Sequence, residues 1–420
     1  MSETVEADAN PQPRMVRFAD RIPNGGRGAG EPPLSERISV ELIENLKELE
    51  ARVDEWSDLA ENASEPNVFY EPWMLLPALR AFGGGREICV ALVSRHSSRN
   101  DTPPLLCGLM PVERRKLSAR VPVSVASAWT HEFCYLTTPL LRRGHEAVCL
   151  EALFGELTGG RCATSLIEFP CLSAEGVVES AVDEVLDFHA AGAFDVSRHG
   201  RALLDARGDW EEYVASLLSS HHRSELRRQR RRLTDLGEIK LKFVTDAQHS
   251  DFWVQQFLDL ERRGWKGRNR TAISQNEAAA VFFNEVMQGA AREGKLMLLG
   301  LFLNNEPIAL KCNLLSGQGA FAFKIAYDES LEKFSPGVQL EIENIRIACE
   351  HPAVDWMDSC AAPRHSMINR LWRERRAVRR LLVSTGRWSG DAVVGLWPAA
   401  RCVVRRRRRR GRPFGRQTHD

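Results

Sequence analysis

The chain has 420 residues, with 57 Lys+Arg against 56 Asp+Glu and a net charge of +1. Its 43% hydrophobic and 27% charged residues fit a globular protein of one to three domains and exclude a disordered chain, a collagen-like fibre and a small disulfide scaffold. The near-zero charge hides two opposed parts: Trp397–Asp420 holds nine Arg and one Asp, or +8, and the other 396 residues carry 48 basic and 55 acidic residues, or −7.

Residues 1–36, rich in Gly, Pro and charge, read as a disordered leader. Val40, Leu42, Ile43, Leu46 and Leu49 predict a helix over 38–56. A helix at 69–82 follows, then strands at 88–94, 105–112 and 121–129. A helix at 146–157, a strand at 165–169 and a helix at 177–190 complete the first half. The second half opens with a helix at 210–218 and a strongly basic helix at 224–236, stopped by Gly237. A strand at 239–244, helices at 250–263 and 277–293, and a three-strand meander at 296–303, 307–315 and 320–327 come next. The turns Asn304-Asn305 and Ser316-Gly317-Gln318-Gly319 suit that meander. A helix from Ser335, a strand at 354–357 and a helix at 366–383 end the ordered part. The predicted class is α/β of the α+β type, with two related domains in tandem, 37–204 and 205–395. An Arg-rich disordered tail, 396–420, follows them.

No run of about 18 apolar residues exists, and the N-terminus lacks the apolar core of a signal peptide. The ten Cys show no CxxC pair and no metal-ligand spacing. These features predict reduced, buried thiols, no metal site and a cytoplasmic location.

The chemistry concentrates near the end of the meander. Ser335-Pro336-Gly337-Val338 offers an N-cap residue, a favoured first helical residue and a glycine that admits close backbone approach. Free N–H groups and the helix dipole make such a start an anion site. The stretch from Phe323 to Ile345 (FKIAYDESLEKFSPGVQLEIENI) resembles the core of the GNAT acyltransferase superfamily, and more narrowly its CelD-like or BioF-like branch, related in fold to the FemAB transferases. Leu260–Ile273, with Gly264-Trp265-Lys266-Gly267, resembles that branch too, as do Asp358–His365 and, more weakly, Trp129–Phe133. One departure is Arg270, where the family usually has Gly before Thr-Ala.

The resemblance implies tandem GNAT-like domains, each with a mixed, mostly antiparallel sheet flanked by helices. It implies acyl-CoA, first of all acetyl-CoA, as co-substrate. Ile325 and Tyr327 would line the pantetheine, and Ser335, Gly337 and Val338 would hold the pyrophosphate. An amine or hydroxyl of a small-molecule or envelope-precursor acceptor would attack directly. Asp358 and His365 are the candidate catalytic bases, His365 for its pKa near neutrality. Trp265, Lys266 and His131 are the candidate acceptor-binding residues.

Two alternatives compete. A FemAB-like enzyme would take an aminoacyl group from charged tRNA, which the basic 223–232 segment would suit. A non-catalytic protein would use the Arg-rich tail to reach nucleic acid or an anionic membrane.

Overall fold

The computed structural model describes residues 14–17, 37–97, 103–245 and 250–396. Strand formation begins where a helix was expected. Arg37–Ile43 is a strand, β2, and Arg14–Arg17 is a strand, β1, paired antiparallel with it. β1 lies inside the segment read as a disordered leader; most of that leader, and the tail from 397, fall outside the described residues. Ile38, Val40 and Ile43 of β2 are buried. Helix begins only at Asn45, whose side chain caps α1 (Leu46–Glu50), ahead of α2 (Val53–Glu61).

The rest of the first half follows the expected order. It comprises α3 (Pro72–Phe82), β3 (Glu87–His96), β4 (Leu105–Ser118), β5 (Val121–Ala128), a short β6 (Leu140–Leu141), α4 (Glu146–Gly159), β7 (Leu166–Ser173) and α5 (Val177–Phe188). A strand that the sequence reading missed, β8 (Ala193–Asp205), joins the halves. The second half comprises α6 (Trp210–Leu217), α7 (Ser220–Thr234), β9 (Ile239–Val244), α8 (Ser250–Arg263), the short α9 (Trp265–Arg268) and α10 (Glu277–Arg292). Then come β10 (Leu296–Leu303), β11 (Glu306–Ser316), β12 (Gly319–Tyr327), α11 (Pro336–Glu350) and β13 (Trp356–Asp358). The helix expected at 366–383 is instead one turn, α12 (Ile368–Leu371), followed by a strand, β14 (Glu374–Ser384).

All described strands join one sheet, in the order β1-β2-β3-β4-β5-β7-β14-β8-β13-β12-β11-β10-β9, with β6 on β4. Its pattern is two-fold. Each half is an antiparallel meander ending in a parallel pair: β5 with β7, and β12 with β13. The exceptions to sequence order are β8 and β14. β8, from the end of the first half, pairs with β13 of the second; β14, the last strand, pairs with β7 of the first. The two then pair with each other along their length.

Each parallel pair is three residues long, and in each the third residue of the later strand is a fully buried acid. Ser127 pairs with Glu168, and Phe321 with Asp358. A buried carboxylate needs a charged partner. Glu168 meets Arg380 of β14 at 2.5 Å and Arg115 of β4. Asp358 meets Arg201 of β8 at 2.6 Å and Arg376 of β14 at 3.1 Å. These pairs fasten the exchanged strands to both halves.

One face of the sheet carries a core shared by both halves, built on α3, α8 and α10. Gly289 of α10 allows the approach to α3, since a Cβ there would stand 3.0 Å from Trp73 Cβ. Glu71, at the start of α3, pins the halves: it accepts from Lys295 Nζ at 2.7 Å, Trp73 Nε1 at 2.8 Å and Ser316 Oγ. On the opposite face, α4 and α5 cover the first half, and α6, α11 and α12 the second. No helix among the described residues is long and apolar enough to cross a membrane.

Candidate active site

β12 and β13 run side by side only to Phe321 and Asp358. Beyond that point β12 continues to Tyr327 with β11 as its one strand partner, so its other edge faces an opening. An unpaired strand edge offers N–H and C=O groups to an extended ligand. Cys360, two residues past Asp358, has φ 52° and turns the chain away from β12.

A register shift between Cys312 and Asn313 of β11 leaves Phe323 as an extra residue of β12. A bulge of this kind re-aims side chains. Phe323 lies in the shared core, and Lys324 pairs with Cys312, a residue of the same core. Lys324 Nζ therefore stands among rings: 4.4 Å from the centroid of Phe133, 5.5 Å from Tyr135 and 5.7 Å from Phe323. It donates to the Tyr135 hydroxyl at 2.7 Å.

Among the described residues Lys324 has no carboxylate partner. The other deep lysines do: Lys311 meets Glu341 at 2.6 Å and Lys295 meets Glu71 at 2.7 Å. Burial, reinforced by the nearby Lys266 ammonium, pulls Lys324 down to about 8, against the opposing pull of Glu261 and Glu132. Tyr135 and Phe133 come from the first half, on the segment after β5. Burial raises the Tyr135 phenol, which stays protonated. His131, on the same segment, stacks on Phe82 at 4.9 Å and packs against Trp129 and Phe282. Burial, with Arg86 and Lys324 nearby, lowers it to about 3, so it is a neutral imidazole. Its Nε2 is buried without a hydrogen-bond partner.

The expected site residues divide between the two faces. Lys266 and His131 lie near Lys324; Lys266 is paired with Glu261 at 2.6 Å, and Glu261 also accepts the Ile273 N–H at 2.8 Å. Trp265 is half exposed at the start of α9, its N–H donating to Glu329 at 2.5 Å. Arg270, where the resembled family has Gly, holds φ 57°, a conformation glycine adopts freely.

Ile325 and Tyr327 lie on the open part of β12, and Tyr327 meets the start of α11, where a Cβ on Gly337 would stand 3.3 Å from its ring. Ser335 has φ 51° and precedes Pro336, and the first turn of α11 carries no acid. Val338 is half-buried beside it.

Asp358 and His365 do not pair. Burial pushes the Asp358 carboxyl up, but Arg201 and Arg376 outweigh it and leave the group below the usual range. A carboxylate so held is a poor proton acceptor. His365 is exposed, with Nδ1 accepting the Ile368 N–H at 3.3 Å. Its charged neighbours are Glu341 and Lys311, which lie with α11 on the other side of the sheet from Lys324; partial burial lowers its pKa. Among the described residues no His/Cys/Asp/Glu cluster fits a metal ion, and every described cysteine is a free thiol.

The basic helix α7 lies against the turn before α11, with Arg232 over Phe334 at 5.9 Å and Arg230 donating to Gln339 at 3.2 Å. Between α6, α7 and α11 runs a groove of about 700 Å³, floored by Trp210, Val214 and Ile342 and edged by Arg223, Arg227 and Arg230. The groove adds positive charge beside the α11 N-terminus.

Residues 220–365 match the family model of an acetyltransferase (GNAT) domain. No curated protein matches the chain. Among solved structures, that of FemX aligns with a TM-score of 0.52 at 9% identity, covering 79% of this chain and 95% of its own. A conserved protein of unknown function from Bacteroides thetaiotaomicron VPI-5482 aligns with a TM-score of 0.51 at 10% identity, covering 82% and 99%. At such identities the likeness is one of fold.

Proposed function

We propose that this chain, whose residues 220–365 match the family model of an acetyltransferase (GNAT) domain and whose fold is similar to that of FemX, transfers an acyl group from a CoA thioester to an amine or hydroxyl at the β12/β13 opening. The observation that carries this reading is Lys324, a deep ammonium with a phenol where other deep lysines have a carboxylate. Such a site is short of one negative charge. An acyl-transfer transition state supplies it as the developing oxyanion, and Lys324 donates to that oxygen. Tyr135 holds the ammonium in place.

The step balances without a covalent intermediate. The acceptor attacks the acyl carbonyl, the new C–N or C–O bond forms, the C–S bond breaks, and the thiolate leaves with the acceptor's surplus proton. The open edge of β12 pairs with the amide-bearing arm of the donor, past Ile325 and Tyr327. The N–H groups of Gly337 and Val338 and the α7 arginines hold its phosphates. Neutral His131, packed beside Lys324, and Trp265 and Lys266 stand on the acceptor side of the opening. Asp358 serves as the strand anchor and His365 as a surface residue of the loop before α12.

The exposed arginines of α7 favour a second reading, in which the donor is charged tRNA. A thermal-shift series separates the two. Acetyl-CoA or a longer acyl-CoA should raise the melting midpoint, and Lys324→Met should lower turnover by about 10²–10³ while retaining binding. If no acyl-CoA shifts the midpoint at saturation, the CoA reading falls; a shift with charged tRNA alone would replace it.

A further inference from the structure

The two-fold sheet raises a question of number: two parallel pairs, each followed by a helix, make two equivalent places for a donor. The second half leaves its place open, as described. The first half does not. β5 stops at Ala128, and its continuation crosses to β7. The Thr137 N–H donates to the Cys171 carbonyl at 2.8 Å, the Cys171 N–H donates to Thr137 Oγ1 at 2.9 Å, and the Ser173 N–H donates to Thr138 Oγ1 at 3.0 Å. Both threonines are fully buried. Asn67, also fully buried, fastens the segment from the other side by donating to the carbonyls of Leu136 at 3.2 Å and Thr138 at 2.7 Å. The backbone groups an extended ligand would use are therefore taken by the chain itself.

The helix start tells the same story independently. α4 occupies in the first half the place of α11 in the second, following the parallel pair's earlier strand. Its first turn holds Glu146, nearly buried, whose Oε1 accepts the Gly144 N–H at 3.1 Å. A carboxylate in the first turn complements the helix dipole that would otherwise draw a phosphate. The first turn of α11 has no acid.

We infer that the chain holds one donor site, in its second half, because the first half is closed by internal stand-ins for the donor: residues 134–138 fill the gap beside β7, and the Glu146 carboxylate takes the anion position of α4. This rests on the donor reading proposed above. It also gives the first half its role. The segment that closes its own gap is the one that carries Tyr135 to Lys324, so the duplicated architecture yields one composite site.

Calorimetric titration of the full chain with acetyl-CoA tests this. One site per chain is expected. Glu146→Gln should leave that number unchanged and the affinity within about twofold. Val338→Glu, which copies the α4 carboxylate onto the start of α11, should weaken all binding at least tenfold, and the size-matched Val338→Gln, with an unchanged melting midpoint, should weaken it several-fold less than the charged variant does. Two sites per chain overturn the inference and leave the donor reading standing. So does a Val338→Glu protein that folds and keeps half of its sites at full affinity. No binding of any acyl-CoA overturns both.

Discussion

Lys324→Met separates the work of this lysine from its cost. The folded protein releases the Lys324 proton near pH 8, whereas the ordinary value is 10.5. One pKa unit corresponds to about 1.4 kcal/mol, so carrying this ammonium destabilises the native state at neutral pH by roughly 3 kcal/mol at most. The unfolded chain holds its proton to higher pH, so this cost fades as pH rises from about 8 towards 10.5. Methionine removes the charge and keeps most of the volume. It also strips the Tyr135 hydroxyl of its partner, which costs about 1 kcal/mol. The urea midpoint of the variant should therefore rise at pH 7, by about 1–2 kcal/mol in stability.

Turnover should move the other way. Loss of one charged donor to an oxyanion lowers kcat by about 10²–10³. The parent should also lose activity above pH 8 as the ammonium deprotonates, and the residual rate of the variant should lack that alkaline limb. Other groups facing Lys324, namely Glu261, Glu132, Lys266, His131 and Cys360, shape the limb without replacing it. Initial rates from pH 6 to 10, paired with urea melts of both proteins, read out both effects. A variant that keeps a third of the parent kcat, or that keeps the alkaline limb, would refute the assignment of Lys324.

Asp358→Asn should behave in the opposite sense, as a stability lesion. It leaves Arg201 and Arg376 buried against a neutral amide, at a cost of about 3–5 kcal/mol in urea melts. Because the folded carboxyl titrates below its ordinary value, its stabilisation should persist as pH falls to 3.8 and fade only below that, which acid unfolding of the parent against the variant measures. His365→Ala should change stability by under about 1 kcal/mol and leave the pH–rate profile unmoved, since its ring makes one weak local bond. Glu71→Ala strands Lys295 between the halves and should cost about 3–5 kcal/mol, seen as a lowered melting midpoint with kcat per folded molecule unchanged.

The sequence pattern revealed the meander, its two turns and the Ser335-Pro336-Gly337 helix start, because turn residues and a proline in the first helical turn act locally. The Ser335 side chain itself makes no capping bond. β14 was not legible in that way. Glu374–Ser384 carries Ala377, Val378, Leu381 and Leu382 at spacings a helix also accepts, and its strand form comes from two neighbours, β7 and β8, that are remote in sequence. β2 failed for a related reason: β3 recruits it into the sheet.

Lys324 escaped the sequence reading because of one bulge. Lys324 alternates with apolar residues in Phe321–Tyr327 as a solvent-facing strand residue would. Only the register shift against β11 turns it onto the core side with Phe323. A lysine between Phe323 and Ile325 was nevertheless a signal, since a two-sided buried strand seldom tolerates one without purpose. Tyr135 gave no such signal, because its importance comes from the first half closing over its own gap.

The exchange of β8 and β14 bears on how this protein is made. A ribosome delivers the first half complete in sequence yet missing its inner neighbour, since β7 finds β14 only when residues 374–384 have emerged. Until then β7 and β8 present bare backbone to every other nascent chain in the cell. The last of the described strands to be synthesised thus closes a seam in the middle of the molecule. A premature stop before residue 374 should send the product to aggregation or degradation instead of leaving a working N-terminal fragment.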